Sequence, residues 1–91
     1  MKLKYVMFDN LGVYGTNDGF LIFQEFEPHD SVAKRYGGID HVLSASFVSI
    51  KHDCEQNSFV ANCYGRSTSL DIDSREIDSK IITFYLNTQN K

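Results

Sequence analysis

The residues that could act as bases, nucleophiles or zinc ligands are three histidines, His29, His41 and His52, and two cysteines, Cys54 and Cys63. They form neither a CxxC nor an HxxxH pattern, the short spacings that let a chain close a zinc site. His52 and Cys54 stand two apart and would share a face if their strand ran on, setting a base beside a thiol. No glycine-rich oxyanion loop flanks them, so an ordinary surface turn accounts for the pair. A small hydrolase using one histidine and an acidic partner therefore ranks third among the functions this chain allows, because the long strand expected below holds His41 and His52 at opposite ends.

Chemistry for binding is better represented. Ser44, Ser46, Asn62, Tyr64 and Arg66, running into Ser67, set a planar guanidinium among hydroxyls and an amide, which suits a carboxylate or phosphate. The wet side of an antiparallel sheet explains the same residues without a ligand. The acidic run Asp71 to Asp78 fails as a calcium loop, since Glu76 stands where the sixth-position glycine is needed and Ile82 where the twelfth-position glutamate is needed. The glycine-rich segment Asp9 to Gly19 is neither a P-loop nor a dinucleotide fingerprint. It suits a protruding recognition loop, with Leu11, Val13, Tyr14, Asn17 and Asp18 facing a protein partner. No cofactor or metal is implied.

These residues must be positioned by few elements. The alternation of Lys2 to Phe8 and of Phe20 to Phe26 predicts two strands. Pro28 ends the second, and His29 or Asp30 can cap a short helix over Ser31 to Tyr36 that stops at Gly37-Gly38. His41 to His52 and Phe59 to Arg66 predict a long hairpin across the polar turn 53–57. Pairing Lys51 with Phe59 gathers Leu43, Ala45, Phe47, Ala61 and Cys63 on an apolar face and Ser44, Ser46, Val48, Asn62, Tyr64 and Arg66 on the other. In that register Cys63 lies opposite Phe47, too far from Cys54 for a disulfide. Ser67 to Ile72 could extend the pairing. Asp73 and Glu76 resemble a capping pair that opens a C-terminal helix, although IITFYL over residues 81–86 also has strand propensity. The expectation is a single α+β domain over residues 1–91: a small antiparallel sheet of about three to five strands with a short central helix and a C-terminal helix packed on one face.

Composition narrows the function classes. A chain of 91 residues, 42% hydrophobic and 23% charged, has room for one ordinary core. A net charge of −3 with nine scattered basic residues disfavours general nucleic-acid binding. No apolar stretch reaches membrane-span length and the N-terminus lacks a signal-peptide core, so a cytoplasmic protein with free thiols is expected. Binding outranks catalysis. The first reading is a non-enzymatic protein-interaction or regulatory module, inhibitor-like in kind, with a protein partner. The second is a protein that binds a nucleotide or other small anion. A homodimer paired through an exposed edge strand at Lys2 to Phe8 is a further expectation.

Overall fold

The computed structural model describes residues 2–10 and 19–89. The elements follow in the order β1 (Leu3–Phe8), β2 (Gly19–Gln24), α1 (His29–Arg35), a 3₁₀ turn (Ile39–His41), β3 (Val42–Asp53), β4 (Ser58–Tyr64), β5 (Arg66–Ser67), β6 (Ile72–Asp73) and α2 (Glu76–Gln89). The α+β class stands as expected. A four-stranded antiparallel sheet runs in the order β2-β1-β3-β4, with β5 and β6 forming a separate two-stranded ladder. Among the described residues no helix is long and apolar enough to cross a membrane.

β1 is central, not an edge. Tyr5, Val6, Met7 and Phe8 are all fully buried, because a strand flanked on both sides and covered on both faces has no solvent side. Period-two alternation sends Tyr5 and Met7 to one face, where they pack with Val48, Ala61 and Ile82 of α2. Val6 and Phe8 go to the other, against Ala45 and Ala33 of α1. The helices thus take opposite faces of the sheet. The segment 81–86 is helical, and Ile82 and Leu86 seat α2 on the core. α1 begins at His29 with Pro28 as its N-cap and no side-chain cap, so neither His29 nor Asp30 does the capping expected. Gly37 follows α1 where a Cβ would collide with the Phe8 ring.

The hairpin register differs by one residue from the pattern-based expectation. Lys51 pairs with Val60, and Cys63 lies opposite Val48, not Phe47. The cause is the turn. Asp53 pairs with Ser58, so only residues 54–57 form the connection, with Asp53 Oδ1 accepting the Glu55 and Gln56 N–H groups and Asn57 at φ 49°. One residue of slip moves a whole strand to the opposite face relative to its partner. Ser44, Ser46, Val48, Ala61 and Cys63 therefore lie beneath α2, whereas Ala45, Phe47, Asn62 and Tyr64 take the α1 side. The ladder ends at Gly65, whose φ of 82° turns the chain away.

Candidate functional site

The polar hairpin face expected from sequence does not exist as one surface. Ser44 and Ser46 are fully buried, Ser44 bonded to Asp78 of α2 and Ser46 to the Tyr64 carbonyl, and the Asn62 and Tyr64 side chains are exposed on the opposite side. Ser67 is buried and its hydroxyl accepts the Leu70 N–H. The Arg66 guanidinium already meets Asp71 and Asp73, which offset the charge an anionic ligand would need. Leu11, Val13, Tyr14, Asn17 and Asp18 lie outside the described residues.

A buried polar cluster that sequence reasoning missed sits where α2 begins. The Asp78 carboxylate is fully buried. Its Oδ2 accepts hydrogen bonds from Tyr5 OH at 2.6 Å, Ser44 Oγ at 2.5 Å and the Arg75 backbone N–H at 3.0 Å, while Oδ1 meets the Arg75 side chain at 2.8 and 3.0 Å. Asp78, not the exposed Glu76, is the acid that accepts a main-chain N–H at the start of α2. Burial, reinforced by the bond to Asp78, pushes the Tyr5 hydroxyl far above its ordinary pKa. Burial likewise raises the neighbouring Cys63 thiol, so it stays protonated and is a poor nucleophile. Both oxygens of the Asp78 carboxylate are engaged, by donors from β1, β3 and the residue ahead of α2, the arrangement of a structural clasp.

The three histidines do not converge. His41 pairs with Asp9 at 2.8 Å on the surface. His52 has Cys54 Sγ 3.6 Å from Nδ1 and Asn57 Oδ1 3.3 Å from Nε2, a thiol, imidazole and amide in sequence around an exposed turn. His29 is buried between the rings of Phe23 and Phe47, and its Nε2–H donates to the Ser46 carbonyl at 2.9 Å, which fixes the neutral tautomer. Burial holds its pKa below the ordinary 6.5. The folded state therefore takes up this proton later than the unfolded chain as pH falls. The His29 contribution to stability should be complete above about pH 6.5 and decline below it, with a limiting slope of about 1.4 kcal/mol per pH unit. Urea unfolding at a series of pH values should show His29→Asn lacking that one-proton slope between pH 6.5 and the folded-state pKa; an unchanged slope would refute the assignment.

The two sheet edges are treated very differently. On β4, the outward N–H groups of Cys63, Ala61 and Phe59 donate to Ser79 Oγ, Thr83 Oγ1 and Asn87 Oδ1 at 2.8, 2.9 and 2.7 Å. Asn87 Nδ2 and Thr83 Oγ1 donate back to the Phe59 and Ala61 carbonyls. The match is geometric: four helical residues rise about 6.0 Å and two strand residues about 6.6 Å, so an i, i+4, i+8 stripe on α2 keeps step with alternate residues of β4. The helix serves this edge as a surrogate strand. A shallow depression of about 490 Å³ between Val60 and Phe84 lies over this sealed edge.

β2 has no such cover among the described residues. Asp9 N–H donates to the His41 carbonyl, so odd-numbered β1 residues face β3 and even-numbered ones exchange bonds with Gly19, Leu21 and Phe23. Phe20, Ile22 and Gln24 consequently turn their main-chain groups outward. Among the described residues only the Gln24 carbonyl is used, by Glu27 N–H. Beside this edge, on the α1 face, Leu21, Ile22, Phe23, Val32 and Tyr36 line a groove of about 220 Å³ with Glu27 and Arg35 at its rim. Phe26 and Tyr36 are 74% and 60% exposed close by. Comparison with known proteins adds no assignment: no family model, curated protein or solved structure matches the chain.

Proposed function

We propose that this protein is a non-enzymatic interaction module that works by accepting an extended protein segment as an additional strand on β2. The observation that carries this reading is the contrast between the edges: β4 is sealed by three side chains of α2, and β2 presents outward main-chain groups beside an apolar groove. Strand addition would draw affinity from those main-chain bonds and specificity from alternate side chains seated over Leu21, Phe23 and Val32. The anion-binding alternative is weakened by the acids that already engage Arg66.

Selection from a displayed library of short random peptides supplies a probe. Selected peptides should carry alternating apolar residues and shift the amide resonances of Phe20, Ile22 and Gln24. Gln24→Pro removes one outward N–H from an exposed position without touching the β1 ladder, so it should weaken binding about three- to tenfold. Peptides that perturb other amides, or bind Gln24→Pro as well as wild type, would sink the reading.

A further inference from the structure

Resting on the strand-addition reading, we infer that the segment added to β2 is β2 of a second copy, giving a two-fold dimer with Ile22 on its axis. Termination of the sheet is the main reason. A foreign strand laid on β2 covers one open edge and presents another on its own far side. Self-pairing leaves none: two four-stranded sheets fuse into one of eight, whose outer strands are both β4, each already closed by Ser79, Thr83 and Asn87.

The sequence of β2 fits this occupant. Gly19-Phe-Leu-Ile-Phe-Gln24 holds no charge, no proline and no bulge, the devices by which edge strands ordinarily repel copies of themselves. The outward residues Phe20, Ile22 and Gln24 are symmetric about Ile22. An antiparallel two-fold pairing therefore sets Ile22 against Ile22 of the second copy, and Phe20 against Gln24, with the outward N–H groups of all three residues in the ladder. On the α1 face the same register sets Leu21 against Phe23, an aliphatic–aromatic pair made twice. The groove rim is balanced in charge as well. It carries one acid, Glu27, and one base, Arg35, already paired with each other at 3.0 Å, so the rim brings no unbalanced charge to repel a second copy.

Light scattering across a concentration series, with folding checked by far-UV circular dichroism, tests the state of assembly. Wild type should be a dimer. Gln24→Pro removes two donors per dimer and should raise the dissociation constant about thirtyfold or more. Cross-linking tests the register, in a Cys54→Ser background that removes the exposed thiol. Ile22→Cys should oxidise to a covalent dimer, since directly paired residues have Cα atoms about 5.5 Å apart. Phe20→Cys should not, because the two Phe20 positions would lie roughly 14 Å apart. A wild-type chain that stays monomeric overturns self-pairing. So does a dimer indifferent to Gln24→Pro, or cross-linking through Phe20→Cys instead of Ile22→Cys. If the chain is monomeric yet selected peptides still shift the β2 amides, strand addition survives with a foreign partner. If those peptides also bind elsewhere, both readings fall.

Discussion

Asp78→Ala is expected to lower the free energy of unfolding by about 3–5 kcal/mol, the range for removing one member of a buried, hydrogen-bonded charge pair. The carboxylate is fully buried and receives donors from three separate parts of the chain: Tyr5 in β1, Ser44 in β3 and Arg75 ahead of α2. Truncation leaves the Tyr5 and Ser44 hydroxyls without this acceptor and removes the carboxylate that the Arg75 guanidinium meets, while an alanine-sized side chain does not fill the space. Tyr5→Phe removes one donor and keeps the ring in the core, so it should cost about 1.5–3 kcal/mol, the range for a hydrogen bond to a charged group. The double variant should be less destabilised than the sum, because both changes remove the same bond. Urea unfolding followed by circular dichroism reads all three, and an Asp78→Ala loss below about 1 kcal/mol would show that the clasp does not hold α2 to the sheet.

Much of the fold was legible because it is written in local pattern. β1 and β2 follow from short runs of apolar and β-forming residues, and α1 from the bracket of Pro28 and Gly37-Gly38. α2 could be separated from a strand by the acidic residues at its start, even though IITFYL alone favours a strand. The faces of the β3–β4 hairpin were not legible, because they depend on whether Asp53 belongs to the turn or to the ladder. That single residue moved Ala61 and Cys63 onto the face of Ser44 and Ser46, the face that the core and α2 cover. Asp78 was hidden for a related reason. In a run of acids it reads as a solvated helix start, and only the long-range approach of Tyr5 and Ser44 makes it a buried acceptor. The stripe Ser79, Thr83, Asn87 could have been found: three short polar side chains at four-residue spacing, beside the apolar Ile82 and Leu86, mark a helix face bonded to something.

That stripe also explains why assembly through β2 would stop at a defined size, and removing it has the second large expected effect. Replacing Ser79, Thr83 and Asn87 together with alanine strands three partly buried main-chain donors, each worth about 1 kcal/mol, for a combined loss near 3 kcal/mol offset in part by the helix propensity of alanine. The larger consequence is topological. With β2 and β4 both open, every copy carries two sites for strand addition, and pairing β2 to β2 and β4 to β4 builds a chain with no closing symmetry. Light scattering should show species that grow with concentration beyond the wild-type size. Adding Gln24→Pro to the triple variant should cap that growth at dimers joined through β4, since only one edge stays available. A triple variant that keeps the wild-type size would mean that α2 packs beside β4 without guarding it. Growth that Gln24→Pro does not limit would remove β2 from the account, because the extra contacts would then have to form on some other surface.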